Sequence, residues 1–132
     1  MPYVVIGPEP FQCSKLFMNH VLCRRALELV RKVCGGKHLV VCQLLQNIGN
    51  VYAAQRKYKD AIACLREALD GLNILHGVDD PKNAEVVYEL GLAYAAMGSN
   101  TNAKSFLLKG LEMAPSHNHA ADAQIVLEPL HS

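Results

Sequence analysis

Cys34, His38 and Cys42 stand four residues apart, a spacing that places side chains on one face of a helix and within reach of a zinc ion. Gly35-Gly36 falls between the first two and interrupts any shared face. The other cysteines, Cys13, Cys23 and Cys64, form no CxxC pair with them or with each other. Four of the five lie within or beside apolar, helix-like patterns. The plain reading is reduced thiols serving as small hydrophobes, with zinc ligation the sharper alternative. His117, His119 and Asp122 form a second ligand-like group, but a closed metal site needs a further donor and a dry setting. They read as a cap followed by a solvated helix start. No GxSxG, HExxH or Gly-rich phosphate loop is present, and Gly35-Gly36-Lys37 is too short to act as one. The expectation is a protein that is not an enzyme, with no catalytic residues, no metal and no cofactor.

The charge balance excludes other classes. The formal net charge is +1 and the charges are dispersed, so neither nucleic acid nor an anionic membrane is called for. The apolar runs are too short to span a bilayer. "MPYVVIGPEPF" lacks the basic region and apolar core of a secretory leader. A soluble, cytoplasmic protein is expected, with no membrane insertion. At 132 residues it has room for one domain with a modest core.

The elements that position any site follow from periodicity. Pro2, Gly7, Pro8 and Pro10 keep residues 1–11 irregular. From about Gln12 to Val33, Leu16, Cys23, Ala26, Leu27, Val30 and Val33 recur at helical spacing, and Gly35-Gly36 stops the run. Further helices are expected at about 39–54, 58–75, 83–97 and 101–114. "QRK" and Gly98-Ser99-Asn100 are the tight turns. "HGVDDPKN" supplies a stop, a turn and a helix start. Pro115 ends the fifth helix, Ser116 caps a last one from about His117 to Leu127, and Pro129 ends it. Ala121, Ile125 and Val126 of that helix are expected to cover the end of the array. No stretch alternates with period two, so the fold class is all-α.

Two stretches share a pattern at a constant offset of 42 residues. Gly49 maps to Gly91, Tyr52 to Tyr94, Ala61 to Ala103, Leu65 to Leu107 and Leu69 to Leu111. In an antiparallel helix pair the small residues let two backbones approach, and the tyrosines and leucines fill the space beside them. A unit repeated in this way builds a solenoid.

The pattern resembles the tetratricopeptide repeat. The first unit reads Leu45, Ile48-Gly49, Tyr52, Ala61, Leu65, Ala68 and Asn73; the second reads Val87, Leu90-Gly91, Tyr94, Ala103, Leu107, Gly110 and Pro115. The usual family period is 34 residues, and the 42-residue unit is similar to the longer-helix variety of kinesin light chains. The resemblance implies a right-handed stack of helix hairpins. Residues 39–76 and 83–115 are two full repeats, 12–34 a leading half-repeat and 116–128 a capping helix. Shifting the pattern back again places Ala26-Leu27 on Ala68-Leu69. The partner helix of that half-repeat would fall in the proline-rich residues 1–11, which suggests a truncated or spliced piece of a longer array.

The resemblance also implies a peptide-binding groove lined by the first helix of each pair: Gln43, Gln46, Asn47 and Asn50 from one, Glu85, Tyr88, Glu89 and Leu92 from the next. Asn50 is singled out because an amide can both donate to and accept from a peptide backbone; a solvated side chain or a local hydrogen bond is the alternative. Chaperone-binding relatives grip a terminal carboxylate with Lys and Asn. Here Gln46 and Glu89 stand at two of those positions, and Glu85 and Glu89 would repel an acidic tail. A neutral or basic extended segment fits better. The expected function is an interaction module or adaptor for a peptide or partner protein. The alternative is a fragment that self-associates through its N-terminal helix, by Leu16, Leu27 and Val30.

Overall fold

The computed structural model describes residues 24–33 and 39–130, and within them the chain is built from helices and turns with no strand. In chain order the helices are α1 (24–33), α2 (Leu39–Ala54), α3 (Tyr58–His76), α4 (Ala84–Met97), α5 (Asn100–Met113) and α6 (Ala120–Leu130), with one 3-10 turn at Pro81–Asn83. The expected irregular lead (1–11), the start of the leading helix and the Gly35-Gly36 stop lie outside the described residues. Helices α2 and α3 form one hairpin and α4 and α5 the next; α3 packs on α4, and α6 closes against α5 and α4.

The hairpins close where the chain has no side chain to spare. A Cβ on Gly49 would lie 2.8 Å from Leu65 Cγ and 3.2 Å from the Ala61 carbonyl oxygen. A Cβ on Gly91 would lie 2.6 Å from Leu107 Cδ2 and 3.1 Å from the Leu107 backbone nitrogen. Backbone atoms stand behind the side chain in both cases, so the leucine cannot simply swing away. Ala61, Ala103 and Leu107 are fully buried beside these contacts and Leu65 nearly so. The 42-residue pattern is therefore the footprint of two close helix approaches.

The main chain repeats with the same period. After α2, Arg56 N–H donates to the Ala53 carbonyl (3.0 Å) and Lys57 N–H to that of Tyr52 (2.8 Å). After α4, Gly98 N–H donates to Ala95 (3.0 Å) and Ser99 N–H to Tyr94 (2.9 Å). Each is a Schellman ending, which needs a left-handed residue. Gly98 meets the requirement at φ 90°, while Arg56 takes φ 64° with a full side chain, at a cost of about 1–2 kcal/mol.

Side chains join successive units in phase as well. Arg24 Nη1 donates to the Tyr52 hydroxyl (3.3 Å), and Arg66 Nη1 to the Tyr94 hydroxyl (2.9 Å). Both members of the pair shift by 42 residues, so α1 stands to α2 as α3 stands to α4. Leu27 and Val30 of α1 pack with Val41, Leu45, Ile48 and Ala68. Leu27 is thus buried, contrary to the expectation of an exposed face through Leu27 and Val30; the exposed apolar residues of α1 are Leu29 and Val33.

The linker between the units is fastened by a buried amide. Asn83 is fully buried. Its Nδ2 donates to Asn73 Oδ1 and to the Gly77 carbonyl, each at 3.1 Å, and His76 Nδ1 lies 2.9 Å from its Oδ1. An amide oxygen only accepts, so His76 carries its proton on Nδ1. Asn73 stands where the family pattern has proline, and here it supplies an acceptor that proline lacks. Asp80 caps the 3-10 turn through Lys82 N–H at 2.8 Å, with Pro81 at the first turn position.

The last helix differs in phase from its expected form. The chain turns through 114–119, with His117 N–H on the Ala114 carbonyl (3.1 Å), so α6 begins at Ala120. Ala120, Ala123 and Leu127 consequently face inward, against Ala84, Tyr88 and Leu107. Ala121 and Ile125, expected to be covered, are exposed. Pro129 lies within the last turn of α6 instead of ending it.

Two substitutions measure these constraints. Gly91→Ala forces a methyl group against the Leu107 side chain, with the Leu107 backbone nitrogen close behind, and is expected to lower stability by about 1–3 kcal/mol in urea denaturation. Asn83→Ala leaves the His76 donor and the Asn73 and Gly77 acceptors without their partner. A loss of about 1–3 kcal/mol is expected by the same assay.

Candidate functional site

Helices α2 and α4 lie in neighbouring units, and their side chains meet through a polar network. Residue spacing on each helix sets this up: Gln46 and Asn50 are one turn apart on α2, as are Glu85 and Glu89 on α4. Gln46 Nε2 donates to Glu85 Oε1 (3.1 Å) and to Glu89 Oε1 (2.9 Å). Asn50 Nδ2 donates to Glu89 Oε2 (3.0 Å). Asn50 therefore holds a carboxylate of its own chain.

Glu89 is half-buried. Burial pushes its carboxyl up to about 7, the amide donors of Gln46 and Asn50 pull it back down, and the neighbouring Glu85 carboxylate raises it. Among the described residues neither carboxylate has a cationic partner; the charged pairs there are Arg31 with Glu67, and Lys109 with Asp79 at 2.9 Å.

A cavity of about 400 Å3 opens beside Glu89. It is lined by the apolar side chains of Ala53, Leu65, Leu92 and Ala93, by Tyr58, and by Asn50, Glu89 and His119. His119 comes from the turn before α6. Its backbone N–H donates to His117 Nδ1 at 3.1 Å, and its ring stacks on His117 at 5.2 Å. The His117 ring stacks in turn on Tyr88 at 5.4 Å. Ligand atoms of Glu85, Glu89 and His119 all lie within 4.8 Å of one another. The structure thus groups His119 with Glu85 and Glu89, while the expected partner Asp122 is exposed on α6. Three donors fall one short of a closed tetrahedral site.

The other expected positions divide. Gln43 and Asn47 are exposed on α2, and Leu92 is half-buried at the cavity. Tyr88 departs from the expected groove position: it is fully buried, its hydroxyl donates to the Ala114 carbonyl at 2.8 Å, and its ring lies against Gly110. It anchors the end of α5, and burial pushes its phenol above the ordinary value. The position falls inward because the Gly110 backbone leaves room for a ring there.

The described thiols, Cys42 and Cys64, sit in packed surroundings. Cys42 is buried with its sulfur against Gly71, where a Cβ would lie 2.4 Å away. Burial raises the thiol pKa of both Cys42 and Cys64, which disfavours the reactive thiolate. Cys34 and His38 lie outside the described residues. A larger open depression of about 590 Å3 lies over α5 and the linker, where Lys109 and Asp79 already satisfy each other.

Sequence reasoning named His119 but grouped it with His117 and Asp122 instead of Glu85 and Glu89, and it missed Asn83. Nothing in the 42-residue pattern points to His119, because the turn that carries it has no counterpart in the first unit. Asn83 stands in a linker whose composition announces only a turn. The paired Arg24–Tyr52 and Arg66–Tyr94 contacts were within reach, since both partners obey the offset.

Comparison with known proteins agrees with this architecture. The family model described as tetratricopeptide repeat matches residues 22–74 and 43–116. The crystal structure of BtubC (BKLC) from P. vanneervenii superposes with a TM-score of 0.79 at 18% sequence identity, over 89% of this chain and 49% of that one. This chain thus spans about half the length of that protein. Among curated proteins, none matches the sequence. No helix among the described residues is long and apolar enough to cross a membrane. With matches that together run from residue 22 to 116, and a 42-residue unit repeated in main chain and side chains alike, the chain is a member of the tetratricopeptide repeat family.

Proposed function

We propose that the shared face of α2 and α4 receives an extended segment of a partner protein, so that the chain works as an adaptor without chemistry of its own. Repeats of this family generally mediate protein–protein interaction. The observation that carries the reading is Glu89. A carboxylate is kept half-buried beside an open apolar cavity, where its own pKa is displaced to about 7. Displaced groups in concave sites mark places where stability has been given up for binding or chemistry. Amide donors already hold both of its oxygens, an arrangement we read as one for binding. Gln43 and Asn47 extend the polar surface along α2, and Leu92 offers an apolar contact.

A second reading rests on α1, whose Leu29 and Val33 are 64% and 83% exposed. Such residues would support pairing with another copy or chain. Sedimentation velocity separates the two: self-association would depend on concentration and be lost in Leu29→Lys/Val33→Lys, whereas the adaptor reading expects neither.

Affinity purification with mass spectrometry tests the adaptor reading directly. Partners are expected to be lost from an Asn50→Ala/Leu92→Ala variant that circular dichroism shows to be folded; an unchanged partner set would sink it. A stability test addresses Glu89 itself. Between its ordinary value of 4.5 and about 7, the folded protein holds a proton that the unfolded chain has released. The penalty of the buried charge therefore grows as pH rises through that window and is complete above it. Glu89→Gln is expected to raise the urea midpoint at pH 8 and to change it little near pH 5.

A further inference from the structure

We propose that the cavity beside α2 and α4 is a socket for one basic side chain, arginine or lysine, of the extended partner segment. The inference rests on the adaptor reading and names the chemistry that the face selects. Arginine and lysine are long apolar stems ending in a cation. The socket offers both parts: Leu65, Leu92 and Ala93 line it for a stem, and Glu89, with Glu85 beside it, can meet a head. Tyr58 also lines the cavity and is an aromatic residue against which a guanidinium can pack.

The hydrogen bonds leave the carboxylates ready for such a head. Gln46 and Asn50 fix Glu89 with one amide donor on each oxygen. A carboxylate has about four lone-pair sites, so both oxygens can still accept from a guanidinium or an ammonium. Orientation is thus set before the ligand arrives, which reduces what binding must order. No described cation of this chain fills the place. An acidic segment would meet two carboxylates there, and a purely apolar one would bury them without a partner.

The groups around the socket give the binding a definite pH dependence. From α4, Glu89 titrates near 7 and Glu85 stands beside it. From the turn before α6, His119 faces both, with His117 stacked behind it. From α2 only the neutral amides of Gln46 and Asn50 face inward, and from α3 the Tyr58 phenol. Lowering the pH neutralises Glu89 and removes its attraction for a cation, so affinity falls as pH drops through 7. Between pH 8 and pH 6 the ionised fraction of a group titrating at 7 changes by about tenfold, which bounds the expected loss from Glu89 alone.

The test is a positional-scanning library of acetylated, amidated nonapeptides, applied to the full chain with EDTA present so that no metal can bridge the carboxylates. Arginine or lysine is expected to be selected at one position. That selection should disappear in Glu85→Gln/Glu89→Gln, and also in Leu92→Trp, which fills the socket without altering charge. Fluorescence anisotropy of a selected peptide should show weaker binding at pH 6 than at pH 8. Peptides that bind with no basic preference, or a preference that survives both variants, would overturn the socket and leave the adaptor reading standing. Failure of every library member to bind would overturn both.

Discussion

The contact on which the rest depends is the meeting of two backbones at Gly49 and Gly91. Each lets the second helix of its hairpin approach until a leucine rests on the bare Cα. That distance sets the angle of the hairpin, and the angle sets which side chains reach the next unit. The tyrosines at 52 and 94 fill the wedge beside the contact, and their hydroxyls project to an arginine of the preceding unit. A one-carbon change at the glycine would therefore be felt at the junction as well as within the hairpin, because a packed interior passes strain on instead of absorbing it.

The units are joined by polar chemistry where the helices end. Helix ends leave backbone groups without partners, and Asn83, the buried residue of an otherwise largely exposed linker, meets one of them. Its Nδ2 donates to the Gly77 carbonyl and the Asn73 side chain, its Oδ1 meets His76, and Asp79 takes the left-handed conformation at φ 66° and pairs with Lys109 of α5. The extra linker length relative to the shorter repeats is thus ordered structure. It holds α4 beside α2, and this is what brings Gln46 within reach of Glu89.

The candidate site is a product of that placement. Gln46 and Asn50 alone are ordinary exposed amides of a helix, and Glu85 and Glu89 alone are ordinary acids. Side by side they become a network in which two amides fix a carboxylate that no cation neutralises. The turn before α6 then adds His119 from a third direction. The same turn buries Tyr88 through its stack with His117 and its bond to Ala114, which removes from the face a residue that its position in the repeat would have put there.

The sequence alone determined the helices, their hairpin turns and the repeat, because these follow from local periodicity, from Gly and Pro, and from a small-residue pattern that recurs at a constant offset. It also placed Gln46, Asn50, Glu85 and Glu89 on first helices, since a residue's place within a repeat travels with the pattern. Tertiary structure decided what those residues do. Whether Asn50 is open or committed, whether Tyr88 is surface or core, and which face α6 turns inward depend on neighbours 26 to 43 positions away. Such contacts form only when the units stack. Their geometry is set by the distance between backbones, which no local run of residues encodes.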